Sequence, residues 1–149
     1  MDSTEKLKDF FESGIPFAAR AGIEADRMEK DGITLKMPLD PNRNHIGTMY
    51  AGALFTLAEM MGGAVAVVYF MEHGFMPIVK GLNIKFVKPA ETDITATWHM
   101  ENDEVERVVS DSKEHGKAEY TINLELEDKD GVVTAVSEGF YQVRGSWKK

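Results

Sequence analysis

Apolar residues along this chain follow two rhythms and one unbroken run. Over residues 3–13, Leu7, Phe10 and Phe11 recur at helical spacing, and Gly14 and Pro16 end the segment. Residues 23–29 and 33–38 flank Lys30, Asp31 and Gly32. In the second of them Ile33, Leu35 and Met37 alternate with Thr34 and Lys36, which predicts a hairpin with one apolar face. A turn-rich connection through Asp40, Pro41 and Asn42 leads to residues 44–72, the longest apolar run. From Thr48 to Met71 its only charge is Glu59, the pattern of a helix buried on nearly every side. Thr48 is placed to cap its start. His73, Gly74 and Pro77 stop it, with Gly74 as the cap residue.

Strand rhythm dominates the remainder. Over residues 78–87, Leu82, Ile84 and Phe86 alternate with Gly81, Asn83 and Lys85; over 94–100, Ile94, Ala96, Trp98 and Met100 form one face. Residues 101–115 are charged, but Val105, Val108, Val109 and Ser112 share a helical face, so a short surface helix is expected. Residues 118–127 place Ala118, Tyr120, Ile122, Leu124 and Leu126 on one side, and the turn Asp128, Lys129, Asp130, Gly131 leads into a last strand over 132–144.

The central run has two possible burial sites, lipid or protein. In a bilayer Glu59 would sit near the centre, at a cost of about 2.5–3.5 kcal/mol, and every strand would keep an apolar face with nothing to cover. An antiparallel sheet wrapped around one long central helix buries all these faces together, an α+β solution over residues 1–149 as one domain.

Composition narrows the chemistry. A formal charge of −8 disfavours nucleic acid and anionic membranes as partners. There is no cysteine, and the four histidines lack a metal-ligand spacing, so neither a metal nor a cofactor is expected. The N-terminus is too polar for a signal peptide, and a soluble cytoplasmic protein follows as the expectation. The isolated Glu59 has two readings: a carboxylate paired with a neighbouring donor that ties helix to sheet, or a functional group.

The segment Asn44-x-x-Gly47-Thr48-x-x-x-Gly52-Ala53-Leu54-Phe55-x-Leu57-Ala58-Glu59 resembles the signature of hotdog-fold acyl-CoA thioesterases of the phenylacetate-degradation type. That signature reads Asn-x-x-Gly-Thr-x-His-Gly-Gly, followed by Asp or Glu. Residues 83–90, ending in Lys88-Pro89-Ala90, are similar to the family's strand with a Pro-Ala turn, and residues 127–133 to its last hairpin. Here Tyr50-Ala51-Gly52 stands where the family has His-Gly-Gly, as in a divergent thioesterase-like branch, and Glu59 replaces the commoner Asp.

The resemblance implies a hotdog fold, an acyl-CoA substrate, and an isologous homodimer or dimer of dimers with the site at the subunit seam. It implies backbone N–H groups of Ala51 and Gly52 as oxyanion donors at the helix start, and Glu59 as general base or nucleophile. Asn44 would orient water or the thioester oxygen, or serve only as a turn residue. Tyr50 would donate from the histidine position or wedge into an interface. Thr56 would bond either Glu59 or its own helix backbone. Asn83 and Lys85 would reach a ligand or a partner subunit, and Lys80, Lys85, Lys88 and Arg144 are candidates for a basic rim around the coenzyme phosphates. Met49, Met60, Met61, Met71 and Met76 fit an acyl tunnel or an ordinary core. Two functional classes follow: a thioester hydrolase, or a non-catalytic hotdog module that binds an acyl-CoA or acyl-carrier ligand.

Overall fold

A computed structural model describes residues 3–145. In chain order these form α1 (Ser3–Gly14), α2 (Pro16–Ala21), β1 (Glu24–Glu29), β2 (Gly32–Met37), α3 (Ala51–Tyr69), β3 (Phe75–Phe86), β4 (Ile94–Trp98), α4 (Asn102–His115), β5 (Lys117–Glu127) and β6 (Val133–Gly145). The strands make one antiparallel sheet of order β1-β2-β4-β5-β6-β3, with α3 packed against it. This is the expected α+β arrangement. By length and composition α3 qualifies as a membrane span, but 72% of its apolar window lies buried inside the protein. Its apolar surface is therefore consumed by the sheet.

The strand rhythm explains how. On β5 the predicted face Ala118, Tyr120, Ile122, Leu124 and Leu126 is buried, while the residues between them from Glu119 to Glu125 are exposed. On β2 and β4, Ile33, Leu35, Met37, Ile94 and Ala96 turn inward. Leu57, Met61 and Phe70 of the helix region are fully buried against these faces, each contributing about 1.5–3 kcal/mol relative to exposure. On α4, Val108 and Ser112 are buried and Val105 and Val109 pack against the core, the face its spacing predicts.

Four local expectations change. Residues 16–21 form a helical turn, α2, because Pro16 occupies its start, where the missing N–H costs nothing; Gly22, at φ 83°, closes it. The run over 44–72 divides into a loop, α3 and a 3-10 turn at Met71–His73. Gly74 ends that turn at φ 82° rather than capping α3 itself, whose cap residue is Phe70. Thr48 does not cap α3. The N-cap is Tyr50, without a side-chain cap bond, because Thr48 is held in the preceding loop by Asn44. Finally, β3 starts earlier than its alternation suggests and has a register shift between Val79 and Gly81, and Phe86 near its end is exposed rather than inward. β3 is an edge strand of the sheet, with β6 as its one strand neighbour among the described residues.

Candidate active site

The loop before α3 is held by its own polar side chains. Asn42 Nδ2 donates to the carbonyls of Ala21 and Pro38, both at 2.8 Å, and the Arg43 guanidinium bridges the Asp40 carboxylate and the Gly47 carbonyl. Asn44 Oδ1 accepts from the N–H groups of Ile46 (3.0 Å) and Thr48 (3.1 Å), and its Nδ2 donates to Thr48 Oγ1 at 2.8 Å. Gly47 takes φ 88°, which only glycine adopts without strain. The Asn44 side chain thus shapes the turn, in line with the second of its two readings. Met49 and Tyr50 N–H groups donate to Ala90 and Asn42 carbonyls, both at 2.8 Å, so the loop fixes where the helix begins. The N–H groups of Ala51 and Gly52 have no acceptor among the described residues, as the start of a helix leaves them. Tyr50 is exposed, and its ring folds back against Gly52, where a Cβ would overlap it.

From this start an incompletely buried stripe runs down α3. Ala51, Phe55, Glu59 and Gly63 follow at four-residue steps and are exposed or half-buried, whereas residues 64–70 are all buried. The Glu59 carboxyl group has no hydrogen-bond or ion-pair partner among the described residues. Burial raises its carboxyl above the ordinary carboxylate range. It faces a cavity of about 270 Å³, with Gly63 and Val67 of the same stripe as floor, Phe10 and Phe11 of α1 on one side, and Met76 and Val79 of β3 on the other.

Beneath Glu59 lie two tyrosines. Tyr120 and Tyr141 are cross-strand partners on β5 and β6, with rings stacked at 5.5 Å and 18°. The Tyr120 hydroxyl donates to the Gly62 carbonyl at 2.9 Å, and the Tyr141 hydroxyl to the Glu59 and Ala58 carbonyls at 3.2 and 3.4 Å. A Cβ at Gly62 would overlap the Tyr141 ring, so this glycine is what lets the helix approach. Burial first, then nearby acidic groups including the Glu59 carboxyl, raises both hydroxyl pKa values, and they stay protonated donors at neutral pH. Neither tyrosine was a site candidate on sequence grounds. The adjacent glycines Gly62 and Gly63 within a helix were the available signal of close approach.

The remaining candidates are scattered. Thr56 Oγ1 donates to the Gly52 carbonyl at 2.7 Å and not to Glu59. Asn83 and Lys85 line a depression of about 550 Å³ with Asn123, Glu125 and Glu138, separate from the cavity that Glu59 faces. Lys88 is exposed just past β3. Arg144 Nε donates to Gln142 Oε1 at 2.6 Å.

The sequence profile of a domain of unknown function, DUF4442, matches residues 3–141. The solved structure of a protein of unknown function from Pseudomonas aeruginosa, called a probable thioesterase, is similar with TM-score 0.89 at 40% identity, covering 95% of each chain. A protein of unknown function from Chlorobaculum tepidum TLS matches with TM-score 0.84 at 22% identity, over 95% of this chain and 94% of that one. A thioesterase from Haemophilus influenzae matches with TM-score 0.74 at 18% identity, over 99% and 94%. The last two are likenesses of fold. No curated protein matches the chain.

Proposed function

Because this chain belongs to the family of the domain of unknown function DUF4442 and shares the hotdog fold of proteins called thioesterases, we propose that it hydrolyses acyl thioesters of coenzyme A. The observation that carries this reading is Glu59: a carboxylate unpaired among the described residues, raised in pKa by burial, on the open stripe of a buried helix and facing an apolar cavity. Acting as base, it takes a proton from a water whose oxygen attacks the thioester carbon. The tetrahedral oxyanion collapses, expelling the thiolate, which receives the proton. Acting as nucleophile, it attacks the thioester carbon and displaces the thiolate to form a mixed anhydride, which water then opens to the free acid and the Glu59 carboxylate.

The N–H groups of Ala51 and Gly52 suit the oxyanion. Yet Gly52 and Glu59 are seven residues apart, about 10 Å along the helix axis. One carbonyl cannot touch both. A second copy with α3 antiparallel would bring the helix start of one chain to Glu59 of the other, and the stripe Ala51, Phe55, Glu59 is the surface left for it. The working unit is accordingly a homodimer, singly or paired, with groups from both copies at each site. Lys80, Lys85 and Lys88, exposed and free of ion pairs among the described residues, suit the coenzyme phosphates.

The Tyr50 ring against Gly52 favours a second reading, a module that binds an acyl thioester without turnover. A panel of short, aryl and long acyl-CoA thioesters, assayed for thiol release, separates the two. Hydrolysis of at least one member is expected, rising with pH through the raised Glu59 pKa, with kcat/KM lowered by about 100-fold or more in Glu59→Gln. Equal background rates for wild type and Glu59→Gln on every member would remove the hydrolase reading, and retained binding would then select the second.

A further inference from the structure

We propose that the cavity beyond Glu59 is a channel for the linear, unsubstituted tail of a medium-chain acyl group, and that Gly63 sets its bore; this rests on the reading of Glu59 as the group that meets the thioester. On α3 the cavity touches Glu59, Met60, Gly63 and Val67, about 12 Å along the axis from first to last, and it reaches Met71 in the turn beyond. Its volume is about 270 Å³. At about 30 Å³ for a water-sized group, and a methylene being of similar size, it holds on the order of eight to ten carbons.

The two adjacent glycines do different work. Gly62 has the Tyr141 ring where its Cβ would be, so its lack of a side chain is used for packing. Gly63 has no atom within 4 Å of that position. A helix glycine that nothing approaches weakens the helix without a packing return. The return is empty space at the point where a tail leaving Glu59 must pass.

The lining chemistry restricts the tail further. Among the described residues of the wall beyond Glu59, the one polar side chain is Tyr141, whose hydroxyl is directed at helix carbonyls. A hydroxyl or carboxyl partway along the tail would find no partner there and would be excluded by desolvation. The wall made by α1 is fixed: Phe11 is in the core, and Glu12 Oε1 accepts the Ala25 N–H of β1 at 2.7 Å. The position of that wall is therefore built in.

The test uses S-alkyl-CoA thioethers from butyl to hexadecyl, which bind without turnover, titrated into wild type, Gly63→Leu and Gly63→Ala, alongside kcat/KM for acyl-CoA thioesters of the same lengths. Wild-type affinity is expected to rise by about fourfold per methylene up to roughly eight to ten carbons, and then level. Gly63→Leu should shorten that rise and lower the decyl-to-butyl affinity ratio by about tenfold or more. Gly63→Ala, whose methyl has room, should do so in smaller measure and reads the proposal should the leucine variant not fold. Affinity independent of chain length in wild type, or a length profile unmoved by both substitutions, would overturn it. Length-dependent thioether binding without hydrolysis would leave the channel standing and remove the hydrolase reading; hydrolysis with flat binding would do the reverse.

Discussion

The two halves of α3 are written in the same small apolar vocabulary but meet different surroundings. In the first half Ala51, Phe55 and Glu59 mark a face the sheet leaves open; in the second, residues 64–69 are all buried, and of them Val67 alone lines the cavity. Hydroxyl contacts divide the same way. Tyr69 donates to the Lys30 carbonyl at 2.8 Å, and Tyr120 and Tyr141 reach the carbonyls of Gly62, Glu59 and Ala58. None of these three reaches a helix carbonyl before Ala58. Glu59 sits at the boundary, desolvated enough for its pKa to rise and open enough to meet a ligand. A carboxylate at Val65 would be sealed in, and one at Phe55 would be largely hydrated.

Charge insertion tests that division most severely. Val65→Asp, in the closed half, should unfold the protein or cost at least several kcal/mol, because an unpaired charge there has no solvent. Phe55→Asp, on a side chain 41% exposed, should leave the far-UV circular dichroism and cooperative melt intact. Equal losses at the two positions would erase the distinction. The adjacent glycines sharpen it at smaller scale. Gly62→Ala should lower stability by about 1–3 kcal/mol through overlap with Tyr141, while Gly63→Ala should raise it by about 0.5–1 kcal/mol, both read in denaturant melts.

The smallest effect concerns Glu59 itself. Its carboxyl pKa is raised in the folded state, so the fold holds that proton to higher pH than the unfolded chain does. Its contribution to stability is full below the ordinary carboxylate range and is lost as pH rises through the raised value. Glu59→Gln removes that loss. Thermal melts should therefore show the variant more stable than wild type at neutral pH, with the gap closing in acid. A variant less stable at neutral pH would mean that the carboxylate is paired after all.

Much of this arrangement was legible in the residue pattern, for physical reasons that also mark where legibility ends. The faces of β5 and α4 follow from period alone, because each packs one side on the core. Glu59 stood out because a lone carboxylate in an apolar run demands explanation. Pro16 misled because proline breaks a helix interior but starts a helix well, and composition does not say which. Thr48 and Asn44 both read as caps or turn formers, and only the 2.8 Å bond between their side chains decides that they serve the loop. Tyr141 was hidden because it, Gln142 and Val143 are buried in succession on β6, so no alternation flags it. Phe10 and Gly63 line one cavity from segments far apart in sequence, which periodicity cannot register.

The bonds from Tyr120 and Tyr141 to α3 have a consequence for the making of the protein. The most apolar element is synthesised early, and the strands that supply these hydroxyls come last. From the end of α3 at Tyr69 the ribosome adds 76 residues to reach Gly145, which at about 5–20 residues per second is roughly 4–15 seconds of translation. During that interval a helix hydrophobic enough to enter a bilayer is outside the ribosome without β5 and β6 to cover it. Its nascent chain is thus a client for whatever holds exposed apolar segments in the cell, and the delay before its last two strands sets how long it stays one.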